Sequence, residues 1–412
     1  MAAAGERAPW WSVLGWAAYL ACSWTWCIGM FLPVLLVRDY GIWGFVVFAV
    51  PNVVGAGGMG WVLTRESSAR LVERHRKAIL YFSIVTVAFQ IFFAFWLLLM
   101  TGNHPLTPVF IVIFFVALPT CVVATMGTPR QTMASVAIWL LSVAAIGTFA
   151  ARGGISAKHI ASSLGAEKLG LWLLAPVCVF GFALCPYLDI TFHRVLRHTS
   201  RTGGRVAFTL GFGFFFLTMI LFTLCYAWVF RATTRDQQWE RLEEVVYLHI
   251  IGQIAFTIMA HGLAYVNERT RAVVAAQGAR LSRRGMTESL GIGLIFFAVP
   301  ILVTFAIGDR LHSGMLVGEI VYRCFMSFYG LVFPAYVWLC MIPTRDGHSG
   351  TGGERGRRKL LVCAAACVLA APCYWMGFIE RVEWWLGVGL GVVLLSRLFV
   401  RGKSTSAADT ST

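Results

Sequence analysis

Long, nearly uncharged apolar stretches follow one another from end to end of this chain, separated by short charged or glycine-rich segments. A helix that crosses a bilayer needs about 20 mostly apolar residues, because it rises ~1.5 Å per residue through a ~30 Å hydrocarbon core. The stretches lack the ten-residue alternation of a barrel strand, and backbone groups in lipid must be paired internally, so they are expected to be helices. The pattern predicts an all-α polytopic membrane protein with about twelve transmembrane helices. These lie near 12–37, 41–63, 78–100, 108–126, 132–150, 170–193, 206–230, 245–266, 287–307, 317–341, 360–377 and 384–400.

Composition agrees with the pattern. Hydrophobic residues make up 58% of the chain and charged residues 13%, against about a quarter charged in an ordinary soluble domain. No loop carries enough apolar residues to bury a core of its own. All 11 cysteines fall in apolar stretches, where cysteine behaves as a small hydrophobe, and their spacing forms neither a disulfide framework nor a zinc pattern. The N-terminal MAAAGERAP leads into an aromatic segment with no small-residue cleavage site, so the first span is expected to be retained.

The formal charge of +15 changes the picture through its placement. Most Lys and Arg fall in 64–77, 127–131, 190–205, 267–285, 342–359 and the two tails, in alternation with basic-poor loops. Positive residues stay on the cytoplasmic side, so the chain is expected in the inner (plasma) membrane with both termini cytoplasmic. No basic run is interleaved with stacking aromatics in a soluble segment, so nucleic acid is not an expected partner. Trp10, Trp11, Trp239, Trp384 and Trp385 lie near predicted water boundaries, as an interfacial belt requires.

Two spans carry Gly/Pro interruptions. Span 1 reads Cys22-Ser-Trp-Thr-Trp-Cys-Ile-Gly-Met-Phe-Leu-Pro33, and span 6 reads Gly181-Phe-Ala-Leu-Cys-Pro186-Tyr-Leu-Asp189. Proline removes a helix donor and glycine admits unusual dihedrals, so loss of regular hydrogen bonding is expected around Trp26–Gly29 and Gly181–Cys185. Two kinked packing helices would explain them equally simply. Their positions add weight, because spans 1 and 6 each open a five-span unit, and five crossings make the second unit enter from the opposite side. Paired broken segments in inverted halves point to a midplane site in secondary transporters. The expected units are 1–150, an inverted 151–341, and 342–412 with two extra helices and a tail.

On these residues the chain resembles the amino acid-polyamine-organocation superfamily, with its LeuT-like five-plus-five inverted repeat, and sodium/solute symporters within it. G-M-F-L-P, the following G-I-W-G, span 2 with Pro51, Asn52, Gly55, Gly57, Gly58 and Gly60, and G-F-A-L-C-P carry the resemblance. It implies a secondary transporter moving an amino acid or amine-like solute by alternating access, with a substrate site on helices 1, 3, 6 and 8. By position that site takes Trp24, Thr25, Trp26, Cys27 and Gly29, then Gly181, Phe182, Cys185 and Tyr187, with Gln90 of span 3 and Gln253 of span 8. Where such folds bind sodium with a hydroxyl pair on helix 8, span 8 offers only Thr257. The coupling ion is therefore sodium, with Thr257 as ligand, or a proton held by Asp189 or a histidine, and an uncoupled protein is the third alternative. No cofactor or metal is expected.

Ionisable residues within spans are costly and so face an interior or a partner. Asp189 and His193 stand four apart, which allows either a proton site or pairing of Asp189 with His193 or Arg194. Glu319 and Arg323 repeat the spacing near the outer end of span 10, as a local ion pair or an exterior gate. His249, Gln253, Thr257 and His261 form a polar stripe along span 8, which lines the solute path or binds neighbouring helices.

Catalytic readings find little support. A haem–copper oxidase needs more intramembrane histidines than His249 and His261. A membrane acyltransferase could use His261 as base, but no second catalytic group stands at recognisable spacing. Walker, H-E-x-x-H and G-x-S-x-G motifs are absent from the sequence, so the chain is not expected to be an enzyme. A sensor or assembly protein on a transporter-like scaffold is the remaining alternative.

Overall fold

The computed structural model describes residues 9–101, 107–108, 128–155, 170–228, 243–275, 315–343 and 353–400. The spans expected at 108–126 and 287–307 lie outside these residues, apart from Pro108, as does Trp239. Every described element is helical: α1 (Trp10–Trp24), α2 (Cys27–Tyr40), α3 (Ile42–Val62), α4 (Arg65–Arg74), α5 (Arg76–Met100), α6 (Thr128–Ala151), α7 (Gly170–Leu184), α8 (Ile190–His198), α9 (Arg201–Tyr226), α10 (Glu244–Ala275), α11 (Val317–Met341), α12 (Gly353–Phe378) and α13 (Trp384–Val400). Among the described residues, eight helices are long and apolar enough to cross a membrane, or nine counting the bent α1–α2 pair as one span, and α13 is a shorter apolar helix. The protein is thus a multi-pass helical membrane protein.

Local sequence sets the ends of these helices. Gly41, at φ 71°, makes the sharp turn between α2 and α3 that an L-residue adopts only with strain. Thr64 and Ser67 close a capping box at the start of α4, with Thr64 N to Ser67 Oγ at 2.8 Å and Ser67 N to Thr64 Oγ1 at 3.2 Å. The sequence pattern reads 64–77 as a loop; the structure makes Arg65–Arg74 a short amphipathic helix and gives Arg76 and Lys77 to α5. Asp189 caps α8 by accepting from Thr191 N at 2.7 Å, and Ser200 caps α9 from Gly203 N at 3.1 Å. Short π-helical turns interrupt α9 at Gly211–Phe216 and α11 at Phe328–Val332 and Val337–Met341.

Charged loops gather at the two ends of the bundle. At one end Glu268 lies 3.2 Å from Arg197, 3.7 Å from Arg271 and 3.9 Å from Arg76, Trp16 stacks on His198, and Arg397 donates to the Trp338 and Pro343 carbonyls. At the other, Arg152 stands 3.8 Å from Glu243, Trp228 donates to Gly154 O, and Tyr40 donates to Glu383 at 2.8 Å. Segments expected on one side of the membrane therefore meet at one end. α1–α2 runs from the first end to the second and α7 runs the other way. Large apolar side chains such as Leu361, Val368, Leu369, Leu395 and Phe399 are exposed along the shafts, as lipid-facing positions are. Trp10, Trp11 and Trp384 are exposed at helix ends.

Candidate functional site at two helix breaks

The first break falls at Thr25–Trp26, where the axis turns by 57° between α1 and α2. The break falls at the N-terminal edge of the expected Trp26–Gly29 stretch: Trp26 is extended, whereas Gly29 and Pro33 lie inside regular α2. The physical reason is visible in what replaces the helical bonds. Thr25 N and Oγ1 both return to Ala21 O at 2.8 Å, Thr257 Oγ1 donates to Cys22 O at 3.2 Å, Trp26 Nε1 donates to Ser23 O, and Trp26 N donates to Trp24 O at 2.8 Å. Across the break Gln90 Oε1 accepts from Cys27 N at 3.4 Å, and Tyr322 OH donates to Cys27 O at 3.0 Å. Thr223 and Tyr226 of α9 donate to Gly29 O and Met30 O at 3.0 and 2.6 Å. Buried backbone groups need partners, and here side chains from α5, α9, α10 and α11 supply them.

The second break runs over Cys185–Asp189, a 3-10 turn followed by extended Asp189. This corrects the expected Gly181–Cys185: α7 passes through Gly181 unbroken, and regularity ends beside Pro186, which has no N–H to return to residue 182. Gly181 serves packing instead, since a Cβ there would stand 2.7 Å from the Tyr329 carbonyl of α11. The two breaks are neighbours. Ser23 Oγ and Thr191 Oγ1 are 3.0 Å apart, and the Trp24 and Phe192 rings are 5.0 Å apart.

Between them lies a buried carboxylate. Asp189 Oδ1 accepts from Thr191 N and Oγ1, both at 2.7 Å, whereas Oδ2 has no hydrogen-bond partner among the described residues and faces His261 Nε2 at 3.8 Å. Among the described residues His261 Nε2 is likewise without a hydrogen-bond partner, and its Nδ1 is 3.3 Å from Ser83 Oγ; both side chains are fully buried. His193 does not pair with the Asp189 carboxylate, because its ring is held 2.8 Å from Ser68 Oγ and 2.9 Å from Tyr187 O. Arg194 sits over the Tyr19 ring at 5.8 Å. Sequence spacing along one helix pointed to His193; the partner comes from α10, 72 positions further on by the numbering of His261.

The remaining candidates divide into separate groups. Trp24, Thr25, Trp26, Cys27, Gln90, Gln253 and Thr257 surround the first break: Trp24 Nε1 donates to Asn52 at 2.6 Å, Trp26 packs among Phe82, Tyr329 and His261, and Gln253 reaches Ser142 at 2.9 Å. Gly181 and Phe182 instead line a small cavity of about 60 Å³ with Arg323, Tyr40 and Tyr329. Cys185 Sγ donates to Tyr329 O at 3.2 Å, and Tyr187 faces another cavity, beside α4. The residues expected to form one substrate site are thus divided: the Trp24 and Trp26 rings close on one another at 4.5 Å, while Phe182 and Tyr187 line separate cavities. The stripe on α10 turns inward throughout, with His249 Nδ1 2.9 Å from Ser142 Oγ.

Glu319 and Arg323 belong to a wider ionic cluster than the local pair. Arg38 of α2 makes two hydrogen bonds to Glu319 at 2.7 and 2.9 Å, Arg323 reaches Asp39 at 2.8 Å and Glu319 at 3.0 Å, and Arg381 stands 3.3 Å from Asp39. The cluster ties the ends of α2, α11 and the 379–383 turn together. Arg38 and Asp39 read in sequence as an ordinary charged flank of span 1, so nothing local marked them as partners of Glu319. No protein-family model and no curated protein matches the chain.

Proposed function

We propose that the chain is a secondary transporter that moves a small organic solute, amino acid or amine-like, by alternating access, coupled to protons at Asp189. The observation that carries this reading is the adjacency of two non-helical breaks at a buried carboxylate whose Oδ2 lacks a hydrogen-bond partner among the described residues. Irregular backbone inside a membrane is tolerated where it is buried in protein or lines a path, and paired broken helices are the usual pointer to a transport site. Opposite directions of α1–α2 and α7 support the twelve-span, inverted-repeat arrangement with 1–150 and 151–341 as its halves. Aromatic rings at Trp24, Trp26 and Tyr329 suit an organic cation, and among the described residues no Lys or Arg accompanies them at the first break.

A carboxylate buried without a cation is costly, and one proton removes that cost. Sharing it with His261 requires the two atoms to approach by about 1 Å, to ordinary hydrogen-bond distance. Thr257 is engaged by the Cys22 carbonyl, which leaves sodium as the less favoured ion. The exterior cluster at Glu319 and Arg323 closes one end of the path.

Uptake of a metabolite panel into proteoliposomes under imposed proton or sodium gradients tests both parts. Wild-type protein is expected to accumulate at least one solute under a proton gradient, and Asp189→Asn to lose accumulation while still exchanging solute. Correctly inserted protein that moves nothing under any gradient overturns the transporter reading in favour of a sensor or assembly role. Accumulation driven by sodium alone and untouched by Asp189→Asn overturns the proton.

A further inference from the structure

The cavity beside α4 has a composition that the transport reading does not use. It holds about 380 Å³, within the range of small-ligand sites. Helical spacing places Ser67, Arg70, Leu71 and Arg74 along one face of α4, and all four line the cavity. Glu66 and Glu73, the acids of this helix, lie about a quarter turn or more off that face and do not line it. Opposite the arginines the wall is apolar, from Leu184, Val337 and Met341, and Tyr187 of the 3-10 turn completes it. Arg70 and Arg74 are exposed, at the basic end of the bundle.

We propose that this cavity binds one anionic phospholipid, its phosphate between Arg70 and Arg74 and the start of an acyl chain against Leu184 and Met341. Charge and shape both select this occupant. Two guanidiniums recognise a phosphate through charge-assisted hydrogen bonds, and a basic pocket between transmembrane helices is the common form of an anionic headgroup site. A free anion would leave the apolar wall unfilled, and a zwitterionic headgroup would bring its own cation against the arginines. Because Tyr187 belongs to the turn that leads into Asp189, the bound lipid rests against the second helix break.

Delipidated protein in detergent, probed by thermal unfolding and native mass spectrometry, tests the site without reference to transport. Phosphatidylglycerol is expected to raise the Tm of wild-type protein and to remain bound as one copy, whereas phosphatidylcholine with the same chains and inorganic phosphate do neither. Arg70→Gln/Arg74→Gln is expected to weaken phosphatidylglycerol binding at least tenfold with an unchanged lipid-free Tm, and the exposed Arg357→Gln to leave it unaltered. Leu184→Trp, which fills the cavity from its apolar wall, should remove binding with both arginines in place. Equal stabilisation by inorganic phosphate, equal binding of phosphatidylcholine, or undiminished phosphatidylglycerol binding by the double variant would each overturn the proposal.

Discussion

Replacing Arg38 and Glu319 by glutamine, singly and together, measures how firmly the ends of α2 and α11 are tied. The pair makes two parallel hydrogen bonds of 2.7 and 2.9 Å, with the Glu319 side chain 7% exposed and Arg38 29%. Hydrogen bonds to charged groups contribute about 1.5–3 kcal/mol each when protected from water, but the partial exposure of Arg38 screens this pair. Asp39 and Arg323 also share the charges, so part of the single-variant loss is taken up by neighbours. A coupling energy of about 2 kcal/mol is therefore expected from the double-mutant cycle. Arg152–Glu243, 3.8 Å apart with both side chains largely or partly exposed, provides the comparison, and an exposed pair of this kind should couple by about 0.5 kcal/mol or less. The assay is reversible unfolding of each variant in the same detergent. A 38–319 coupling no larger than the 152–243 coupling would refute the inference that burial and two-point geometry make this cluster a clamp.

The same preparation separates two glycines that look alike in sequence. Gly181→Ala should destabilise by about 1–3 kcal/mol, since its Cβ meets the Tyr329 carbonyl at 2.7 Å in two packed helices. Gly29→Ala should be neutral or slightly stabilising, with its nearest contact an ordinary 3.5 Å to Phe216; equal losses would show that α7 and α11 are not packed as described. Single cysteines at 66 and 201, in a cysteine-depleted background, should label from one side of the membrane and a cysteine at 152 from the other. Labelling of 152 together with 201 would contradict the grouping of loops at two ends of the bundle.

Hydrophobic run length by itself determined that the chain is helical and multi-pass, because a bilayer imposes a minimum length and forbids unpaired backbone regardless of neighbours. The same logic located every described span, although α10 runs past the expected 266 to Ala275 and α12 begins at Gly353 instead of 360, and the placement of Lys and Arg sorted the described loop residues into two groups that meet at opposite ends. Proline and glycine marked which two helices would break. They marked each break only at one edge, Trp26 and Cys185, since a break settles where other helices can satisfy the freed groups: Thr257, Gln90 and Tyr322 do so around Thr25–Trp26. Asp189 was legible as an unusual residue, but its partner was not. One-dimensional spacing offers only neighbours along a helix, such as His193, whereas the bundle brings His261 from a separate helix to the bare oxygen. Arg38 joins Glu319 for the same reason, and the cavity beside α4 exists only because that helix folds back over the second break. Contacts between distant segments depend on how helices cross, which no local pattern encodes; the tertiary structure decided them.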